Sequence, residues 1–498
     1  MTSFDQTDEL QAAPIKARPV YDAAFCEERR RPLVLAAAVL ASSMGFIDGT
    51  VVSIAMPAIR QTLGATLDQA TWINNAYMVT LSALILTGGA FGDRFGLGRV
   101  FSLGIGLFIA TSLVCALAPN PNVLILARLA QGAGAALMIP GSLAMISRAY
   151  PREIRGRAIG IWAAASAVTT AAGPIIGGLA LSFGGPEMWR WIFAINLPLG
   201  LVALVLTRRG IARDARRSGQ PVDIAGALLA IAGLAAIAWA LTQLEGAATS
   251  GLDLVIGAAG VIALALFVLQ EHRSAHPMMP LSLFRSPTFS AANAATFALY
   301  FGLSAILFFL PMLTVAGWDI SEIEAAVAFA PLSIFVAAFS TKFGRLSDRI
   351  GPGPVIAVGS LVVALGYAAL ALVVPLQTYW LTVLPAMTVV GFGMGMVVAP
   401  LSTAVMGAAD DSRSGIASGV NNALSRIAGL IAVAAMGSLA GFVYVRAGGA
   451  FSYGETLADP AHVVAMGSAL SAIAWVSAGL AALAALVAAF AIRGQTGS

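Results

Sequence analysis

The sequence predicts an all-α membrane protein of fourteen spans with both termini in the cytosol, and three observations carry that prediction. First, 59% of its 498 residues are hydrophobic and 10% are charged, against about 45–50% and 25% in soluble domains. A soluble globular domain and a disordered chain are both excluded. Second, apolar runs near the ~20 residues needed to cross a bilayer recur at 33–56, 71–91, 100–118, 122–146, 158–181, 190–207, 224–244, 252–269, 291–313, 323–341, 354–374, 379–405, 418–442 and 466–492. Third, if the N-terminus is cytosolic, 23 of the 28 lysines and arginines fall in cytosolic segments. The outer loops hold only Arg60, Arg190 and Arg446, while Arg128 and Arg426 stand inside apolar runs. Such asymmetry sets both the orientation and the parity of the spans.

In chain order, residues 1–32 mix six acids with five bases and lack an apolar core with a cleavage site, so they read as a cytosolic tail and not a signal peptide. Residues 33–208 supply six spans. Residues 209–272 supply an inserted pair. A cytosolic or interfacial linker, 273–290, follows, with a Pro-punctuated stretch that reads as a short amphipathic segment. Residues 291–492 supply six more spans, and 493–498 form a cytosolic C-terminus. Trp72, Trp189, Trp191, Trp318 and Trp380 fall at outer span ends, as an aromatic belt requires.

The six-two-six parse rests on an internal repeat. After span 2 the chain reads Gly89-Ala90-Phe91-Gly92-Asp93-Arg94-Phe95-Gly96, and after span 10 it reads Gly344-Arg345-Leu346-Ser347-Asp348-Arg349-Ile350-Gly351. The shared pattern G-x-x-x-D-R-x-G returns 255 residues later on the same side of the membrane.

Asp48 is the acid that most needs a reason, because a charged side chain at mid-bilayer costs about 2.5–3.5 kcal/mol even on insertion scales. At ~1.5 Å per residue it lies roughly 12 Å inside the outer boundary of span 1, and Arg128 lies roughly 9 Å inside span 4. The two share a depth. An acid desolvated when enclosed, yet stabilised by a nearby cation when ionised, has a proton affinity that conformation can move. The alternative is a static ion pair holding spans 1 and 4 together. Gly173-Pro174-x-x-Gly177-Gly178 interrupts span 5, where proline removes a helical bond and glycines permit close backbone approach. Tyr77, Asn74, Glu245, Asn293, Phe297 and Tyr300 are the polar and aromatic candidates for a central cavity, with Glu245 placed to attract a cation. Arg426 reads as snorkelling to the cytosolic boundary.

Taken together, these motifs resemble the major facilitator superfamily, and within it the fourteen-span drug:proton antiporter branch. The Gly89–Gly96 stretch is similar to the superfamily's loop motif between spans 2 and 3. Ile47-Asp48-Gly49-Thr50-Val51-Val52-Ser53-Ile54-Ala55-Met56-Pro57 resembles the branch's first-span signature, with Ser53 where asparagine is usual. Arg128-Leu129-Ala130-Gln131-Gly132-Ala133-Gly134 resembles its fourth-span motif, and the glycine-proline run its antiporter motif, with Thr169 where a glycine usually begins it. Trp189-Arg190-Trp191-Ile192-Phe193, running to Pro198, is similar to the start of its sixth span. The resemblance implies two six-helix bundles of the major facilitator fold, a coupling acid at Asp48 and a functional arginine at Arg128. It also implies a cytosolic gate at Asp93, Arg94, Arg99, Asp348 and Arg349 that forms when the transporter faces outward and breaks when it faces inward.

Enzymatic readings are thin. Neither Lys16 nor Lys342 ends a phosphate-binding loop, no H-E-x-x-H motif occurs, and no nucleophile elbow is present. No catalytic residue, metal or cofactor is therefore expected, and no basic run suits nucleic acid. The expected partners are protons, the lipid bilayer and an amphipathic or cationic small molecule exported by antiport; a periplasmic adaptor is left open. Export of a lipid or endogenous metabolite is the alternative within transport, and a non-transporting receptor or scaffold the alternative outside it.

Overall fold

The computed structural model describes residues 24–212, 214, 223–243, 250–274, 277–409, 414–457 and 459–492. Every regular element among them is helical. In order these are α1 (Arg31–Leu63), α2 (Leu67–Phe95), α3 (Leu97–Ala116), α4 (Pro121–Ala149), α5 (Arg152–Gly184), α6 (Trp189–Ala194), α7 (Asn196–Gly210), α8 (Ile224–Gln243), α9 (Gly251–Arg273), α10 (Pro287–Ala316), α11 (Glu322–Val327), α12 (Ala330–Ile350), α13 (Pro352–Val373), α14 (Leu384–Gly407), α15 (Ser414–Arg446) and α16 (Pro460–Ala491). The short α6 and α7 together make span 6, and α11 with α12 make span 10. By length and composition 13 helical segments can cross a membrane. The remaining long helix, α2, has its apolar character diluted by buried Thr71, Asn74, Asn75, Thr80 and Ser82, because it faces other helices more than lipid. Fourteen spans result.

Local signals explain the helix ends. Thr66 and Gln69 form a reciprocal capping box at the start of α2, satisfying two amide donors that the helix cannot. The final glycine of the repeated loop motif ends its helix in both halves: Gly96 after α2 has φ 101° and Gly351 after α12 has φ 85°. A side chain at either φ would clash with its own backbone, so glycine alone turns the chain there without strain.

The duplication is visible in the packing. α2 lies on α4, α3 on α4 and α7, and α1 on α5 and α7; in the second half α12 lies on α14, α13 on α14 and α16, and α10 on α15 and α16. The inserted α8 and α9 pack on each other, and α8 lies against α2 and α15 at one seam between the halves. There the Trp72 and Trp239 rings sit 5.9 Å apart. On α9, Leu252, Leu254, Val255, Val261, Ile262 and Leu266 are exposed, a surface suited to lipid. Trp189 departs from the expected aromatic belt: it is fully buried, and its indole N–H donates to Thr62 at 2.8 Å.

The halves meet along α2 and α15 and, at their outer ends, where α5 reaches α11 and α1 reaches the loop before α16. Ser182 on α5 donates to Glu322 at 3.2 Å and accepts from the Ile323 amide at 3.2 Å. Arg60, at the outer end of α1, donates to the Tyr453 carbonyl and, at 3.2 Å, to the Ser452 hydroxyl in the loop between α15 and α16. By contrast, Gly156, Arg157, Gly160 and Ala163 on inner α5 are exposed, as are Ala337, Thr341, Lys342 and Arg345 on inner α12. The molecule is closed outside and open inside.

Candidate functional site

Asp48 and Arg128 meet. Both side chains are 1% exposed, and Arg128 Nη1 donates to Asp48 Oδ2. The other described ion pairs are local, joining residues two or three apart. A closed network surrounds this pair. Arg128 Nη1 also donates to Gln131 Oε1 at 2.7 Å, and its Nε to the Ile73 carbonyl at 3.2 Å. Gln131 Nε2 donates to Asp48 Oδ1 at 3.0 Å and to Ser112 at 2.8 Å, and Asn196 adds a donor to Ser112 at 3.3 Å. The guanidinium lies over the Tyr77 ring, 4.3 Å from its centroid, and 5.7 Å from that of Phe193. Four spans therefore converge on one carboxylate, and every described donor to it is aimed at its ionised form.

The arrangement makes protonation consequential. A neutral Asp48 carries its own O–H donor, so Asp48 and Arg128 would present donors to each other and lose their mutual charge attraction. Arg128 keeps Gln131, the Ile73 carbonyl and the Tyr77 face, and a neutral Asp48 keeps one oxygen that can accept from Gln131. A proton there would weaken one of the links between α1 and α4, which Ser42 and Ser142 also join at 2.8 Å.

On the opposite side of α1, Phe46, Gly49, Thr50 and Ser53 face a cavity of about 330 Å³ between the two halves. Thr170 and Pro174 of α5, Tyr300 and Ser304 of α10, and Asn422, Ser425 and Arg426 of α15 complete much of its wall. Of the sequence candidates for this cavity, Tyr300 reaches the wall. Tyr77 does not, being occupied under Arg128. Asn74 is buried and donates to Asn75 at 3.3 Å. Asn293 is buried, donating to the Phe289 carbonyl at 2.9 Å and accepting from Asn421 at 3.1 Å. Phe297 packs into the main core, 6.2 Å from the Phe301 ring. Glu245 lies outside the described residues. Arg426 corrects its sequence reading: α15 begins at Ser414, so the side chain stands three turns in, about 18 Å at ~1.5 Å per residue, and lines the cavity instead of snorkelling.

The glycine-proline run joins three helices. A Cβ on Gly173 would strike Thr50 and one on Gly177 would sit 2.6 Å from Val51, both on α1. At Gly178 a Cβ would lie 2.8 Å from the Glu322 carbonyl oxygen and the Ile323 Cα of α11, across the seam. At the cytosolic end, Arg94 stacks on Phe95 with 5.3 Å to the centroid, and Asp348 and Arg349 are exposed. Asp93's side chain lies outside the described residues. The Arg99 backbone amide donates at 2.9 Å to Asp214, an acid the sequence reading passed over inside its basic cluster.

Residues 38–433 match the sequence pattern of the Major Facilitator Superfamily. The chain belongs to that superfamily. Among its relatives in the Major Facilitator Superfamily, it is 34% identical over 416 residues to a methylenomycin A resistance protein of Streptomyces coelicolor, covering 82% of this chain and 86% of the relative. It is 34% identical over 440 residues to the protein of that name in Bacillus subtilis, covering 85% and 93%. A tetracenomycin C resistance and export protein of Streptomyces glaucescens is 32% identical over 416 residues, covering 82% and 75%. A bacterial homolog of the human lysosomal transporter Spinster, solved inward-facing and unoccupied, shares the fold with TM-score 0.70 at 20% identity, over 94% of this chain and 98% of that one. A D-xylose–proton symporter shares it with TM-score 0.64 at 16% identity, over 94% and 99%. This member of the superfamily is a multi-pass protein of the cell membrane.

Sequence reasoning missed Gln131, Ser112, Asn196 and Arg60. Gln131 left a signal, since it follows Arg128 by three residues and so shares its helix face. Asn196 belongs to the stretch that resembles the start of the sixth span, but Ser112 left no signal, because nothing in one span announces which neighbour it will face.

Proposed function

We propose that the protein is a proton-coupled exporter of amphipathic, drug-like small molecules, working by antiport and alternating access. The observation that carries the reading is the sealed Asp48–Arg128 pair, set one helix width from a cavity at mid-membrane. The names of its relatives, which are antibiotic resistance and export proteins, support the substrate class. In this reading the bundles 33–208 and 291–492 rock about the cavity, the inserted pair 209–272 follows the seam, and the segments 1–32, 273–290 and 493–498 remain cytosolic. A proton from outside neutralises Asp48 and weakens its hold on Arg128; release of that proton to the cytosol restores the pair. Arg94, Arg99, Asp348 and Arg349, apart in this inward-facing structure, close the cytosolic side with Asp93 when the bundles rock back. The cycle makes and breaks no covalent bond, so it assigns no catalytic group, metal or cofactor.

The test is Asp48→Asn in proteoliposomes. The amide keeps the shape and accepts from Arg128 but cannot cycle a proton. Substrate-induced proton movement, read with a pH-sensitive dye, should fall to background while the variant remains monodisperse. Proton movement at the wild-type rate would remove Asp48 from the coupling role.

A further inference from the structure

Arg426 is the one charged side chain on the wall of the central cavity among the described residues. Among the described residues it has neither a hydrogen-bond nor an ion-pair partner, and none of them brings a carboxylate to the wall. Tyr300 shares the wall with it, so its charge stands at the middle of the molecule. A guanidinium inside a membrane protein persists where it is paired, hydrated or used; this one is unpaired and faces the space a substrate must cross. Beside it, Ser304, Ser333, Asn422 and Ser425 place further polar groups on the same wall, whereas Phe46, Met78, Leu303, Leu307, Phe329 and Leu332 give it an apolar part.

From this placement we infer that the substrate is an amphipathic organic anion, its carboxylate taken by Arg426 and its apolar body held against the phenylalanine and leucine wall. The inference rests on the exporter reading and narrows its substrate class. A planar guanidinium binds a carboxylate through two parallel N–H donors, a match that a cation lacks and a neutral molecule only partly meets. A cavity carrying one uncompensated positive charge between low-dielectric walls also repels cations before any contact forms. The 330 Å³ volume suits a group of drug size. One proton entering per anion leaving would move two charges in the same electrical sense, so an inside-negative potential should accelerate the exchange, whereas one proton for one monovalent cation would be electrically silent.

The experiment uses the full-length protein and two probes with one fluorophore, 1-pyrenebutyrate and 4-(1-pyrenyl)butyltrimethylammonium, measured for equilibrium binding in detergent and for ΔpH-driven flux in proteoliposomes. Wild type should bind and move the carboxylate at least tenfold better than the ammonium probe, and a valinomycin-set potential should change that flux. Arg426→Gln should lose the carboxylate preference by tenfold or more, Arg426→Lys should restore part of it, and Arg426→Glu should favour the ammonium probe. Equal or stronger binding of the ammonium probe by wild type, binding of neither probe, or a carboxylate preference unaltered in Arg426→Gln would each overturn the inference. Proton-driven flux of the ammonium probe would overturn it while leaving the exporter reading standing. Arg426-dependent carboxylate binding without flux would uphold the site and remove the exporter reading.

Discussion

Two arginines sit inside apolar spans of this chain, and the structure treats them in opposite ways. Arg128 is enclosed, ion-paired with Asp48, bonded to Gln131 and the Ile73 carbonyl, and stacked on Tyr77. Arg426, in the other bundle, is half-buried on the cavity wall and has none of these partners among the described residues. The difference separates two uses of one charge. In the first bundle the counter-charge is built in, as the proposed proton site requires. In the second the counter-charge is absent, so the site is left for something that arrives.

The comparison breaks most visibly if both arginines are neutralised and stability is measured. Arg128→Gln leaves Asp48 buried without its cation and should destabilise the folded protein by about 3–5 kcal/mol, read as a lowered unfolding midpoint in detergent. Arg426→Gln removes no described contact and should stay within about 0.5 kcal/mol of wild type. Equal losses at the two positions would mean that Arg426 is structural too.

A smaller effect should follow at the outer closure. Arg60→Ala deletes the donors to Tyr453 and Ser452 that tie α1 to the opposite bundle, at an end of the helix that water can reach and partly compensate. The conformational balance should move toward the outward-open form. A cysteine placed at Ser182, with Cys26 and Cys115 replaced by alanine, should then react several-fold faster with a membrane-impermeant maleimide. An unchanged rate would show that the outer seam does not depend on Arg60.

The smallest expected change is at Gly178. Its alanine variant would bring a Cβ to 2.8 Å from the α11 backbone, and overpacking of this kind costs about 1–3 kcal/mol. The same labelling should rise, by less than for Arg60→Ala, and coupling should weaken, because the seam would no longer close without strain. Wild-type labelling with wild-type coupling would show that α5 and α11 can shift apart freely.

Much of the fold was legible before any coordinates. Greasy runs of the right length, positive charge on one side and a repeated loop motif imposed fourteen spans and a two-bundle plan, because bilayer thickness and charge transfer act on each segment locally. The Asp48–Arg128 meeting was legible as well, since two costly charges at one depth require each other. The cavity wall was not. Tyr77, Asn74, Asn293 and Phe297 are polar or aromatic enough to line a site, but the structure buries the first three and packs Phe297 against the core. A helix of 3.6 residues per turn offers several faces, and composition does not say which one meets a neighbour, lipid or water.

The sequence by itself determined the membrane class, the orientation, the span count and the rarity of the internal charges, since these depend on transfer energies that each residue carries with it. Only the tertiary structure decided that Arg128 is satisfied and Arg426 is not. Both are arginines in apolar helices, and whether such a charge is neutralised depends on what the packed neighbours bring within hydrogen-bonding distance.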